Sequence, residues 1–421
     1  MGVNIQKGGK LFTFFCLYIA QSIPMSFFST VIPVIMRQNN FSLETIGMLQ
    51  LLKLPWILKF LWSPMVDRST FKIGDFKRWI FSSELIYAAF IFSVSFLNFQ
   101  TTPYLIIGLV ILSFIASATQ DIATDSLAVL SFSKKDKSLA NSMQSMGSFA
   151  GAMIGGGTLL LLYHKLGWGN LLPFLALFVI LALIPLVFFR RGHNQEVIRT
   201  KQEKKPTADD ILGFFKQKGI WKQVVFLFLY YAGLIGVLAM LKPMLVDYGY
   251  NIKEIGIMSG IVGTSIGCLA SFGGGFVVRR IGRHAARILF AVCTLTTTIY
   301  FCLLVSVLPI NIATLHLGIS LLWGSYGMAV IVVYTTAMDC VRPGFEGTDF
   351  TIQTVITHLS GIIMGVSSGK IAAMITYKGL FVVEVCITAV SLIFILFAFS
   401  RHPTPALPKG EGESKPLQEN E

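Results

Sequence analysis

Twelve apolar stretches, each long enough to cross a bilayer, run through this 421-residue chain. A helix needs roughly 20 apolar residues to span the hydrocarbon, and a charge left at its centre costs several kcal/mol. The stretches lie at about 10 to 36, 44 to 66, 78 to 98, 103 to 130, 138 to 163, 168 to 189, 221 to 246, 254 to 278, 285 to 307, 310 to 339, 347 to 375 and 379 to 400. With 54% hydrophobic and 13% charged residues and a mean hydropathy of +0.70, the chain reads as an all-α polytopic membrane protein. A β-barrel is excluded, because its segments are shorter and alternate in polarity. Each charge inside a span must therefore answer to function or to pairing.

The net charge of +13 would suggest nucleic acid in a soluble protein, but its distribution points to the membrane. Loops on the side of both termini hold 26 of the 34 basic residues, among them Lys7, Lys77, Lys134 and Lys137, whereas the opposite loops hold only Arg37, Lys165, Lys253 and Lys378. This positive-inside bias places both termini in the cytoplasm. The six cysteines lie in apolar spans with no CxxC pair and read as small core residues, with no metal site.

One break divides the chain. The polar, basic segment 190–219 separates a first six-span half, 1–189, from a second, 220–400, and a disordered tail is expected at 401–421. A constant offset of 209 residues aligns Ile46-Gly47 with Ile255-Gly256 and Gln144 with Gln353, as parallel repeats would leave. Glycines 147, 151, 155, 156 and 157 in span five and 361, 365 and 369 in span eleven predict close backbone approach, either for rocking halves or for static packing.

The loops after spans two and eight share a pattern. The first reads Ser63-Pro64-Met65-Val66-Asp67-Arg68 and then Gly74-Asp75-Phe76-Lys77-Arg78; the second reads Gly275-Phe276-Val277-Val278-Arg279-Arg280-Ile281-Gly282-Arg283. Both resemble the GxxxDRxGRR signature of the major facilitator superfamily. The resemblance implies that superfamily's fold, twelve transmembrane helices in two six-helix halves that alternate access to a midplane cavity. It also implies a cytoplasmic latch, an ion pair aided by helix-end dipoles that forms in one state and breaks in the other. Asp67 and Arg68 are its leading residues, with Arg78, Arg280 and Arg283 beside them at the gate; Arg279 stands at the acidic position of the second copy.

Several first-half stretches narrow the family: Gln21-Ser22-Ile23-Pro24, Leu58-Lys59-Phe60-Leu61-Trp62-Ser63-Pro64, and Gln120-Asp121-Ile122-Ala123-Thr124-Asp125. They are similar to the AmpG-type permeases and the related acetyl-CoA transporter group, as are Asn141 to Gln144, Gly155-Gly156-Gly157 and Gly167-Trp168. The similarity thins in the second half, where Tyr230-Tyr231 replaces the Tyr-Lys pair often found in span seven of that family. The resemblance implies a bacterial inner-membrane importer of muropeptides. A sister branch that imports iron-siderophore complexes is the alternative.

The charges inside the spans supply candidate roles. Asp121 and Asp125, four residues apart, stack on one helix face, and two carboxylates in a low-dielectric bundle do not both ionise comfortably. They are the candidates for proton coupling; a carboxylate fixed by a lysine for stability is the alternative. Lys53 lies well inside span two with Gln50 on its face, needs a partner from span four, and is a candidate for solute binding. Trp56 beside it is a candidate to stack on a sugar ring. Lys59 points elsewhere and either serves the gate or snorkels. Gln21, Gln144, Tyr230 and Gln353 are further candidate solute contacts, Lys370 is the candidate for an anionic group, and His358 is either a contact or a core histidine. Glu84 and Glu384 carry no assigned role.

No GxxxxGKT nucleotide loop or HExxH cluster occurs, so an enzyme, ATP-driven transport and a cofactor are not expected. A multi-span enzyme or a transporter-like receptor would be the other-class readings. The expected partners are lipid, protons and a small solute, for a protein acting as a monomer.

Overall fold

The computed structural model describes residues 2–38, 49, 52, 54–189 and 207–399. Its elements are helical and follow the apolar stretches. Span one is Gly2–Gln38, span three Ile73–Val94, span four Pro103–Ser131 and span ten Ile312–Asp339. Spans eight and nine share one bent rod, Thr264–Ser306, broken at Gly282; spans eleven and twelve share another, Glu346–Ala398, broken at Ile375 and Thr376. Span seven is split into Ile220–Leu229 and Ala232–Asp247. The expected disordered tail and the greater part of the interhalf linker fall outside the described residues.

The exterior is apolar, with Phe188 (75%), Leu269 (71%), Met374 (82%) and Phe397 (81%) strongly exposed. Such a surface suits acyl chains, not water. The cysteines depart from expectation: five are half-buried and Cys386 is exposed, because a thiol is apolar enough to sit at a lipid-facing helix edge.

Span two is broken where it matters. It runs as Leu54–Leu58, a 3-10 turn Lys59–Leu61, and Ser63–Ser69. Pro64 has no N–H to give the Phe60 carbonyl, and Ser63 Oγ donates to that carbonyl instead at 3.1 Å. The tighter turn changes the helical phase at Lys59. A side chain that α-helical spacing directs elsewhere is thereby aimed at span four.

The glycine row of span five faces span one, since a Cβ at position 147, 151 or 155 would crowd Phe15, Ser22 or Ile23. It joins two helices of one half. The row of span eleven is looser, with Met240 Cε 3.7 Å from a Cβ at Gly369 and nothing within 4 Å of one at Gly361. Close approach between the halves occurs elsewhere, where span five, beginning at Lys137–Met153, meets span eight. Ser138 Oγ donates to the Gly275 carbonyl at 3.0 Å and Ser142 Oγ to the Ser271 carbonyl at 2.8 Å, and a Cβ at Gly275 would overlap Ser142 Oγ. At the other end of this seam two π-helical stretches, Ile154–Thr158 and Gly256–Gly263, touch each other. Gly275→Leu is expected to hold the seam open, read as faster maleimide labelling of a Ser142→Cys protein. Unchanged labelling would refute the close approach.

Candidate functional site

Between the two sets of spans lies a cavity of about 350 Å³. Its first-half wall is polar and carries Tyr18, Gln21, Lys59, Asp121, Asp125, Asn141 and Gln144. The opposite wall is aromatic, with Trp323, Tyr326, Tyr334 and Phe350, relieved by Thr354 and His358.

Side chains on the polar wall are joined by hydrogen bonds around the two carboxylates. Lys59, 1% exposed, donates to Asp121 Oδ2. Tyr18 donates its hydroxyl to Asp125 Oδ1, which also accepts from Gln144 Nε2 at 3.1 Å. With its amide turned to satisfy both neighbours, Gln21 donates to Asp121 Oδ1 at 3.2 Å and accepts from Trp56 Nε1 at 3.1 Å. Asp121 thus hydrogen-bonds a cation, whereas the hydrogen bonds that Asp125 accepts come, among the described residues, from neutral donors, and Lys59 acts on it through space. If all three charged groups are ionised, the cluster carries a surplus negative charge. Burial makes such a surplus costly, and a proton delivered through the cavity would remove it.

The face that carries the basic loops is shut by contacts between the halves. Asp67, at the end of span two, accepts from the backbone N–H groups of Gly347 at 3.0 Å and Thr348 at 2.6 Å. These are unpaired donors in the first turn of span eleven, where the helix dipole favours an anion. Arg68 turns instead to the short helix Ala208–Phe215, forking onto Asp210 with Nε to Oδ2 at 2.8 Å and Nη2 to Oδ1 at 2.6 Å. From the other half, Arg342 Nη2 donates to the Asp210 carbonyl at 2.6 Å and to Asp349 Oδ1 at 2.6 Å. Arg283 donates to Asp339 Oδ2 at 2.6 Å and to the Lys134 carbonyl, and Lys137 Nζ reaches the Met338 carbonyl at 2.7 Å.

The Major Facilitator Superfamily model matches residues 11–365. The chain belongs to the major facilitator superfamily. Over 86% of its length it is 25% identical to a Rickettsia typhi protein named as putative transporter AmpG 3, covering 89% of that relative. It is 22% identical to the anhydromuropeptide permease of Escherichia coli, covering 90% of this chain and 78% of that one. Two solved structures share the fold. A human organic anion transporter has a TM-score of 0.72 at 12% identity over 92% of this chain and 99% of that one. A bacterial homologue of the iron transporter ferroportin, in an outward-facing state, has a TM-score of 0.69 at 15% identity over 93% and 99%.

Within this superfamily member the candidate residues are not all gathered at the cavity. Gln21, Trp56, Asp121, Asp125, Gln144 and His358 line it. Lys59, expected at the gate, lines it as well, because the 3-10 turn redirects it. Gln50 and Lys53 lie outside the described residues. Three expected solute contacts do not line the cavity. Tyr230 is buried in the second half with its hydroxyl on the Arg287 carbonyl at 2.8 Å. Gln353 is used to join spans ten and eleven, donating to the Ala337 and Cys340 carbonyls at 3.0 and 3.1 Å. Lys370 is exposed on the outside of span eleven. Among the gate residues, Arg78 is an 85% exposed side chain 3.6 Å from Asp75 and Arg280 is exposed, so neither joins the halves. Arg279 lies 3.2 Å from Asp136 instead. Tyr18, Asp210 and Trp323 carry no motif that marks them in the sequence, and Asn141 is marked only as the first residue of the family-like stretch Asn141 to Gln144. Tyr18 has a positional signal, since it lies three residues before Gln21 and shares its helical face.

The clasp on Asp210 is insensitive to ordinary pH. Partial burial pushes its carboxyl up, but the Arg68 guanidinium and the Thr207 backbone outweigh burial and hold it below the usual carboxylate range. Its contribution is present above an unfolded value of about 3.9 and is lost only as pH falls through the lower folded one. Asp210→Arg is expected to slow turnover more than solute binding, and adding Arg68→Asp should recover part of the rate. No recovery in the swapped pair would show that this contact does not act at the gate.

Proposed function

We propose that the protein imports muropeptides across a bacterial inner membrane by proton-coupled alternating access, as a monomer with both termini in the cytoplasm. Relatives named AmpG and anhydromuropeptide permease, similar over most of the chain, support the solute class. The observation that carries the coupling is the carboxylate pair with one lysine, in which Asp125 faces the cavity beside neutral donors.

In this reading the halves 1–189 and 220–400 rock about the cavity, with 190–219 as the linker. A proton entering on the side opposite the basic loops neutralises Asp125 and removes the surplus negative charge. An anionic peptide carboxylate can then approach Lys59, competing with Asp121 for its ammonium group. Opening on the cytoplasmic side requires Asp67 to leave the first turn of span eleven and helix Ala208–Phe215 to leave one of its two arginines. The proton and the solute then depart together.

The test is uptake into proteoliposomes under an imposed proton gradient, with a labelled anhydromuropeptide in one arm and an iron-loaded siderophore in the other. Gradient-driven accumulation of the first alone is expected. Accumulation of the siderophore alone would transfer the protein to the alternative solute class.

A further inference from the structure

The aromatic wall contains a ring fixed by packing against two other rings and span eight. Trp323 of span ten lies edge-on to Phe149, at 6.1 Å and 79°, and to Tyr326, at 6.2 Å and 76°. Phe149 and Tyr326 meet each other at 6.0 Å and 82°, closing a triangle of aromatic contacts that sets the indole plane. The indole rim enters a notch in span eight, where a Cβ at Gly263 would overlap Nε1 and Cδ1 and one at Gly267 would stand 3.4 Å from Cε3. Nε1 has no hydrogen-bond partner among the described residues. Trp56, the residue that sequence offers for this role, is already engaged: it packs on Phe114 at 5.2 Å and donates to Gln21.

A rigid indole facing a wall of amides and charges divides the cavity by chemistry. Pyranose rings have the matching two-sided character, with C–H groups on a face that stacks against aromatics and polar substituents around the rim. Resting on the muropeptide reading, we infer that Trp323 is the platform on which the solute's sugar ring stacks, its polar rim turned toward Gln21, Lys59 and Gln144. Trp323 is then the residue that makes the site prefer a sugar-bearing peptide to a peptide alone.

The experiment measures proteoliposome uptake of a labelled anhydromuropeptide and its inhibition by the same anhydro-sugar without peptide. Trp323→Leu should raise KM about ten-fold, as loss of one aromatic stack implies, with kcat little changed, and should abolish inhibition by the sugar. Trp323→Phe keeps a stacking face and should stay within about three-fold of the unaltered protein. Gly263→Ala leaves the ring intact but fills its notch, and should raise KM in the same direction. Unchanged KM in Trp323→Leu, equal loss in the Phe and Leu proteins, or a fall in kcat alone would each overturn the platform. If Trp323→Leu does not yield folded protein, an unaltered KM in Gly263→Ala is sufficient to overturn it. Absence of uptake by the unaltered protein would instead sink the solute reading, and this inference with it.

Discussion

Asp125→Asn abolishes accumulation against a gradient while leaving exchange of solute across the membrane. The amide keeps the size of the side chain and can still pair with the Tyr18 hydroxyl and the Gln144 amide, so the cavity retains its shape. It cannot take up and release a proton. One pH unit across the membrane supplies about 1.4 kcal/mol per proton, or about a ten-fold solute ratio at unit stoichiometry. Under that gradient the unaltered protein should concentrate solute about ten-fold, and the Asn protein should only equilibrate it, at a ratio of about one. Counterflow in the absence of a gradient should persist. Accumulation that survives the substitution would remove Asp125 from the coupling step.

Lys59→Met should cost more stability than other single changes in the cluster. It removes the cation that Asp121 faces at 1% lysine exposure, and breaking a buried pair from one side costs about 3–5 kcal/mol. Asp121→Asn leaves the lysine in the same predicament and should also destabilise. The double change Lys59→Met with Asp121→Asn removes both charges, and its stability should return most of the way to that of the unaltered protein. Transport should not return, since the double variant offers no cation to an anionic solute. Thermal unfolding in detergent separates the two readouts; additive losses in the double variant would show that the pair is not coupled.

Part of the site is legible in the linear chain. The four-residue spacing of Asp121 and Asp125 puts both on one face of span four, and both line the cavity. The position of Asp67 at the end of span two foretells an anion near the gate, but not its partners. Sequence leads one to expect an ion pair as the latch; the contacts of Asp67 include backbone N–H groups of a helix start, which carry no side-chain signature. Arg68, expected beside it, pairs instead with Asp210, 142 positions away, a partner that local sequence cannot name. Constant α-helical phase aims Lys59 away from the cavity, and that phase does not hold through a segment that Ser63-Pro64 tightens into a 3-10 turn.

Hydropathy and the charge of the loops decide that the chain crosses the bilayer many times, because oil and headgroups select residues directly and locally. They do not decide which side of each span meets the cavity. Lipid and an aromatic cavity wall favour the same side chains, so Trp323 and the exposed Leu269 look alike in one dimension, and a glycine that admits a neighbouring backbone, such as Gly275, looks like any other. Those distinctions are made when distant helices come within contact range, and only their packing tells lipid, lining and seam apart.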